Sequence, residues 1–427
     1  MRSNPRFSIV IPTRERADTL RFALKSCLDQ EFDDYEIVVC DNCSSPATRD
    51  VVDSLASPRI VYHRSPTPLC MRDNWNLAYG LTSGQYVGYI GDDDGLMPYA
   101  LAQLDALIRR EGAKAITWDC ALYSWPNIAR SDLANYIALS VTRTRKAFEG
   151  RQAIRDVITG CMPATLLPNI YHGLVAREVL ERIRARTGHV FASYAPDTYT
   201  SFAVAYLVDR YLSLAAPMTV SGFSASSNNI ASNFLRSKHP NTQRYKNECT
   251  ASGLELHPWV PDLPAGWVAI ADSFLVAKAD LFPDDSSLAL DRKFLAEIFL
   301  EKLPIDDLDE LPDVLAAIRG SLSDDADLVA WFDARARQIE PKVYPRDTFR
   351  AQEEGLHGRY LHLDTSKYGV EEVASAVSLA SRILRYGTKP IVWDAQEPSE
   401  GGLQRFLNRA RFAIRLSRLR RGGPAAR

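Results

Sequence analysis

The sequence predicts an α/β fold, a mostly parallel sheet flanked by helices, followed by a mainly helical C-terminal region. Three observations carry this. Apolar, strand-like runs at 7–11, 36–40, 59–63 and 86–91 alternate with helix-spaced segments over the first hundred residues, the pattern of parallel strands joined by crossover helices. Polar, ligand-capable residues follow the carboxyl ends of three of those runs: Thr13 to Arg16, Asp41 with Asn42, and Asp92 to Asp94. Beyond about residue 250, apolar residues recur at helical spacing, with Pro and Asp clusters between the segments.

Taken in order, 7–11 is a first strand ended by Pro12, and 18–28 is a helix with Leu20, Ala23, Leu24, Cys27 and Leu28 on one side and Asp18 as a plausible cap. A second strand at 36–40 runs into the turn-rich stretch Asp41 to Pro46 and a helix over 47–55. A third strand follows at 59–63. The loop with Pro66 and Pro68 leads to a helix around 71–81, closed by Gly84 before the strand at 86–91. A helix at 99–111 and strands at 115–118 and 170–175 come next, then a helix near 178–186 and an apolar helix at 202–211. The strand at 218–220 is expected to be the last of the α/β unit. Helices are expected at 294–303, 311–322 and 373–386. There is no internal repeat of fixed period.

At 427 residues the chain exceeds what one core usually supports. The expected division is an α/β unit at 1–245, a mainly helical accessory unit at 246–400 and a basic tail at 401–427. The apolar fraction of 46% and charged fraction of 24% are ordinary for a soluble globular protein. No stretch of about 20 apolar residues is present to span a bilayer, so a cytoplasmic location is expected. The seven cysteines are an odd number scattered through the chain, which argues against a disulfide framework. Cys40 and Cys43 do read as C-x-x-C after a strand, so a redox motif competes with buried thiols there.

Net charge is only −2, but 401–427 has no acidic residue and carries arginines at 405, 409, 411, 415, 418, 420, 421 and 427 among leucines and phenylalanines. This pattern fits a basic amphipathic helix in peripheral contact with the inner face of an anionic membrane, or a solvated docking helix; both readings stay open. Nucleic acid is not expected as a partner, because the rest of the chain is net acidic and shows no recognisable module.

Asp92, Asp93 and Asp94 put dense negative charge at the carboxyl end of a buried strand, where open α/β sheets bind ligands. Adjacent carboxylates repel unless a cation offsets them, and hard oxygen ligands suit Mg²⁺ or Mn²⁺. The economical reading is a divalent ion holding a phosphate.

With these residues in place, roughly 5–240 resembles the family 2 glycosyltransferases, enzymes of the GT-A fold. The stretch Ser8-Ile9-Val10-Ile11-Pro12-Thr13-Arg14-Glu15-Arg16 is similar to the family's opening strand and nucleotide loop, with Glu15 in place of the usual Asn. Residues 37–44 are similar to its second loop, with Asn42 and Cys43 departing from the usual Asp-Gly or Asn-Gly. Residues 84–98 are similar to its G-x-Y strand and D-x-D-D-x-x-x-P metal motif; aligned on Pro98, Gly91 replaces the first aspartate. Ala195-Pro196-Asp197-Thr198-Tyr199 is similar to the acceptor-side acidic motif.

The resemblance implies a nucleotide-diphospho-sugar as donor and a glycan, lipid-linked or other hydroxyl acceptor. It implies direct metal ligation by Asp94 with Asp92 completing the D-x-D, and donor contacts from Thr13, Glu15, Arg16, Asp41, Asn42 and Asp93. It makes Asp197 the candidate base, giving single displacement and inversion.

Blander readings stand beside these. Asp41 as a turn cap, Asp197 as a helix N-cap, and salt bridges or caps at Arg16, Arg72 and Asn74 are all compatible with the sequence. His172 and His239 are either extra metal ligands or structural histidines. A haloacid-dehalogenase-like phosphatase would want Thr or Val where Leu96 stands. A nucleotidyltransferase needs glycine in the loop after the first strand, and 12–16 has none. A P-loop is excluded by the absence of G-x-x-x-x-G-K-[ST]. A GT-A domain retained as a non-catalytic binding or scaffolding protein is the remaining alternative.

Overall fold

The computed structural model describes residues 4–128, 131–225, 240–303, 305, 307–341, 351–384, 386, 391 and 393. The expected basic tail at 401–427 and His239 lie outside the described residues.

The first third of the chain follows the expected alternation: β1 (Phe7–Thr13), α1 (Ala17–Leu28), β2 (Tyr35–Asp41), α2 (Pro46–Leu55), β3 (Ile60–Arg64), α3 (Met71–Gly80), β4 (Tyr86–Tyr89), β5 (Gly95–Leu96) and α4 (Ala100–Glu111). Next come β6 (Ala115–Trp118), β7 (Ala121–Ser124), β8 (Tyr136–Ser140), β9 (Arg145–Glu149), α5 (Gly150–Ile158), β10 (Gly173–Ala176), α6 (Arg177–Thr187), α7 (Pro196–Leu207), β11 (Arg210–Leu214) and β12 (Thr219–Phe223). The remainder holds α8 (Pro240–Ala251), α9 (Gly266–Leu281), α10 (Arg292–Glu301), α11 (Leu311–Gly320), α12 (Ala326–Ala336), the strands β13 (Gly355–His357) and β14 (Tyr360–Asp364), and α13 (Val373–Leu384).

An eight-stranded sheet has the order β3-β2-β1-β4-β10-β6-β11-β9. Four of its seven pairings are parallel; β10 runs antiparallel to both neighbours and β9 antiparallel to β11. β1 and β2 are buried along nearly their whole length, as expected of strands covered by helices on both faces. Leu20, Ala23, Leu24 and Cys27 of α1 are fully buried, so the apolar stripe read from the sequence is the face that packs. β1 runs beside β2 on one side and β4 on the other, so connections diverge there, and the crevice outside their carboxyl ends is the topological switch point. Close approach at the other end of this pair depends on Gly84: a Cβ there would lie 2.5 Å from the Ser8 backbone nitrogen.

The structure departs from expectation in three places. The apolar segment after Pro196 is helical only to Leu207, and Tyr211 lies in β11. Pro196 at the first helical turn, with its preset φ, starts α7 early. The strand expected at 218–220 is β12, which belongs to a second, six-stranded sheet of order β13-β14-β8-β7-β12-β5. That sheet is completed by residues 355–364, far downstream of the expected break at 245/246: β14 pairs antiparallel with β8 along Tyr360 to Asp364. The C-terminal region is otherwise mainly helical, and its last helix returns to the aspartate segment. Val377 of α13 would stand 2.5 Å from a Cβ at Gly95. The main hydrophobic core runs from Phe7 through α9 and α10 to Val373 and Ile391 without a break.

Candidate active site

Past the carboxyl ends of β1 and β4 lies a cavity of about 2100 Å³. It reaches from the β1 loop, past the aspartates, to the start of α7 and the β9 and β14 edges. Thr13, Arg16, Asn42, Asp92, Asp93 and Asp197 all line it. Asp41, Glu15 and Asp94 do not.

Thr13 ends β1 and donates from Oγ1 to Asp92 Oδ2 at 2.6 Å. Arg16, one turn later, places Nη1 3.1 Å from Asp92 Oδ1 and 3.5 Å from Asp93 Oδ2. Ser224, just past β12, donates its hydroxyl to Asp93 Oδ2 at 2.6 Å. Burial opposes the charge on Arg16, yet Asp92 and Asp93 more than offset it and raise its pKa above the ordinary arginine value. Burial likewise pushes Asp92 up, against Arg16 and Thr13. Asp93 is pushed up to about 7 by burial and by the neighbouring carboxylates, with Arg16 and Ser224 only partly compensating. One guanidinium therefore leaves negative charge at the cavity floor under-compensated.

Asp94 is committed to the protein. Its Oδ2 accepts from the Gly91 N–H at 2.6 Å and the Tyr171 hydroxyl at 2.6 Å, and its Oδ1 from the Gly222 N–H at 2.7 Å. His172 Nε2 faces the same Oδ2 at 3.2 Å. Burial acts to raise the Asp94 pKa, but His172, Tyr171 and Gly222 outweigh it and hold the carboxyl below the usual range. For His172, burial acts against protonation while Cys120 and Asp94 raise its pKa well above the imidazole range. The carboxylate is thus an internal tie between β4, the segment before β10, and β12. Direct metal ligation, expected of Asp94, does not suit a side chain outside the cavity with both oxygens engaged; Asp92 and Asp93 are the pair that faces it. No motif or spacing marks Tyr171, Gly222 or Ser224, which reach the aspartates from elements far along the chain. A Cβ at Gly222 would sit 1.9 Å from the Asp93 carbonyl oxygen, so β12 approaches this closely only because that residue is glycine.

Asp41 is fully buried: Oδ1 accepts from the Ser44 N–H at 2.8 Å and Oδ2 from the Tyr62 hydroxyl at 2.6 Å. It is the turn cap of the blander reading, and the expected base or ribose contact does not suit this placement. Glu15 turns away as well. Its φ is 54°, and its carboxylate accepts from the N–H and hydroxyl of Ser45, both at 2.8 Å, at the start of α2. It ties the first loop to the second. Asn42 holds the 65–69 loop through Leu69, donating to its carbonyl at 2.9 Å and accepting from its N–H at 2.8 Å, and it still lines the cavity. Of the remaining candidates, Asn74 and His172 line the cavity, whereas Arg72 is bonded to Asp73 at 2.7 Å and to the Ser252 carbonyl at 3.2 Å.

Cys43 adopts φ 59°, the left-handed conformation that favours glycine. A non-glycine residue there costs on the order of 1–2 kcal/mol. Cys43→Gly is therefore expected to stabilise the protein by about 1 kcal/mol, read as a higher urea midpoint with unchanged slope. A lower midpoint would show that the thiol's contacts outweigh the strain. Its partner in the C-x-x-C, Cys40, is fully buried and its thiol is pushed up to about 12 by burial, which disfavours the thiolate a redox motif needs.

Asp197 lies in the first turn of α7. The N-cap position belongs to Ala195, so the capping alternative is not the one adopted. Its carboxylate receives a long contact of 3.4 Å from Asn169 and faces the cavity. Burial raises its pKa above the ordinary aspartate value, against Asn169 and the Thr198 N–H.

Among the described residues no three His, Cys, Asp or Glu side chains converge as a ready-made metal cage. Mg²⁺ is commonly held by one or two carboxylates with substrate phosphates completing the shell. Asp92 and Asp93, adjacent, cavity-facing and under-compensated, fit that mode.

Residues 8–164 match Glycosyl transferase family 2. That stretch is similar to family 2 glycosyltransferase domains. It contains β1 through the aspartate cluster, whereas Asp197 lies beyond its end. Curated relatives include the GalNAc(5)-diNAcBac-PP-undecaprenol beta-1,3-glucosyltransferase of Campylobacter jejuni, 33% identical over 130 residues, covering 30% of this chain and 41% of that protein. Another is the putative colanic acid biosynthesis glycosyl transferase WcaA of Escherichia coli, 33% identical over 104 residues, covering 24% of this chain and 37% of that protein. The chain thus spans about two fifths of the length of these relatives. Among solved structures, S. aureus TarS 1-349 with UDP-GlcNAc aligns at TM-score 0.47 and 16% identity, covering 77% of this chain and 83% of that one. The GT-A α/β architecture expected of a family 2 domain agrees with the sheet order and switch-point crevice described above.

Proposed function

We propose that the protein transfers a sugar from a nucleotide-diphosphate donor to a hydroxyl acceptor with inversion, using the switch-point cavity as its active site. The observation that carries this reading is the placement of Thr13, Arg16, Asp92 and Asp93 on one cavity wall, with Asp197 lining the same cavity.

Asp92 and Asp93 would hold a divalent ion, Mg²⁺ or Mn²⁺, which when bound supplies Lewis-acid stabilisation of the departing diphosphate. Thr13 fixes the Asp92 carboxylate, and Ser224 fixes that of Asp93. Arg16 places a positive charge beside the same two carboxylates and lines the cavity, where it can also face phosphate oxygens. Asp197, with its raised pKa, takes the proton of the attacking hydroxyl on the far side of the sugar. Bond making to the acceptor oxygen and bond breaking to the diphosphate oxygen then occur in one displacement, which inverts the anomeric carbon.

For the acceptor, the name of the Campylobacter jejuni relative points to a glycan carried on undecaprenyl diphosphate, and a lipid-linked glycan is the acceptor class we assign. No helix among the described residues is long and apolar enough to cross a membrane. Peripheral contact through 401–427 at the cytoplasmic face fits such an acceptor. The domain arrangement that accompanies this reading is a catalytic unit at 1–245 whose cavity is walled in part by the helical region. The direct test is transfer from a panel of nucleotide sugars to undecaprenyl-diphosphate-linked saccharides, with and without Mn²⁺. Metal-dependent product of inverted configuration supports the reading, and retained configuration contradicts it.

A further inference from the structure

The loop that delivers Asp197 is held almost entirely by the helical region. Ser193, Tyr194 and Ala195 precede α7, and Ser193 takes φ 60°, a conformation that needs outside support. Asp272 of α9 is fully buried. Its Oδ1 accepts from the His257 N–H at 2.9 Å and its Oδ2 from the Tyr194 N–H at 3.4 Å. Next to it, Ser273 Oγ lies 2.9 Å from Ser193 Oγ and donates to the Ala195 carbonyl at 3.2 Å. The Tyr194 hydroxyl donates to the Leu254 carbonyl at 3.2 Å, and the Tyr245 hydroxyl donates to the Tyr194 carbonyl. These contacts come from residues 245–273. Two residues beyond Ala195, Asp197 enters the cavity.

A fully buried carboxylate is costly unless donors satisfy it. Asp272 satisfies two segments at once, so its carboxylate works as a clamp between α9 and the loop. Misplacement of a catalytic group by about 1 Å can cost on the order of 10² in rate. We propose that Asp272, together with Ser273, is a positioning residue that sets where the Asp197 carboxylate stands in the cavity. The helical region then belongs to the catalytic unit, and this inference rests on the base assignment for Asp197.

The test is nucleoside diphosphate release from a panel of nucleotide sugars by the full chain, with binding of UDP, GDP and dTDP measured alongside. For Asp272→Ala the expected result is a 10- to 100-fold fall in kcat, with donor KM and nucleoside diphosphate affinity within twofold of the parent. Asp272→Asn keeps one carbonyl acceptor and is expected to recover part of kcat. Ser273→Ala, a smaller change, is expected to give a lesser kcat loss with the same split. Thermal unfolding of each variant separates misfolding from misplacement. A folded Asp272→Ala with unchanged kcat overturns the inference. So does loss of kcat together with equal loss of nucleotide affinity. If Asp197→Asn itself retains full kcat, the base assignment fails instead, and the clamp fails with it as a device for catalysis.

Discussion

Asp93→Ala is expected to lower transferase turnover by at least about 10³-fold and to remove the stimulation by Mn²⁺, while the folded structure survives. Electrostatic stabilisation of the developing charge is usually the largest single contribution to catalysis, and one well-placed group can carry about 10²- to 10³-fold of it. Here the loss should exceed that range, because Asp93 is one of the two members of the aspartate run that line the cavity. The substitution also relieves the burial and repulsion that push this carboxyl up to about 7. Its thermal stability should therefore change little or rise, whereas Asp94→Ala should destabilise by removing a carboxylate that accepts from Gly91, Tyr171 and Gly222. Steady-state kinetics with a thermal melt for each variant checks both. Equal loss of activity and of stability in the two would contradict the division between a cavity-facing pair and an internal tie.

Asp197→Asn is expected to reduce kcat by about 10²- to 10⁴-fold, the range typical of one positioned base. Nucleoside diphosphate affinity should be unchanged, because the side-chain contact that holds the Asp197 carboxylate comes from Asn169, away from the Asp92 and Asp93 pair. The asparagine is nearly isosteric and still accepts the contact from Asn169, so folding should be retained. In the pH profile of kcat, the parent should lose activity as pH falls through the pKa of Asp197, which burial raises above the ordinary aspartate value. That acid limb should vanish in the variant. A full-rate variant would move the base role elsewhere.

Much of the donor side was legible in the sequence for a local reason. A fully buried parallel strand is a continuous apolar run, and its carboxyl end is marked by the first polar residues after it. That places Thr13, Arg16, Asn42 and the aspartates at one crevice. Which of them faces the cavity was not legible. Asp41 and Glu15 sit in the expected loops but are claimed by Tyr62, Ser44 and Ser45. Among three adjacent aspartates, spacing does not say which is turned inward. That is decided by Gly222 and Tyr171, about 130 and 80 residues downstream.

The same limit explains the fold-level misses. β7, β8, β13 and β14 are strands of three to five residues whose partners are remote, β14 pairing with β8 across more than 200 residues. Short segments like these carry little periodicity of their own, and long-range pairing stabilises them. The overlong helix expected at 202–211 has a related cause. α7 and β11 are both apolar and separated only by Val208 and Asp209, so one run of hydrophobic residues hides a change of period.

The measurement that tests the central claim most directly is calorimetric titration of UDP, GDP and dTDP, each with and without Mn²⁺, into the intact protein and into Asp93→Ala. The account predicts that one nucleotide binds tightly, that binding weakens at least tenfold without metal, and that Asp93→Ala abolishes the difference. Binding of none of them in the presence of metal, or equal metal-dependent binding by both proteins, would contradict it and favour a GT-A domain retained as a scaffold.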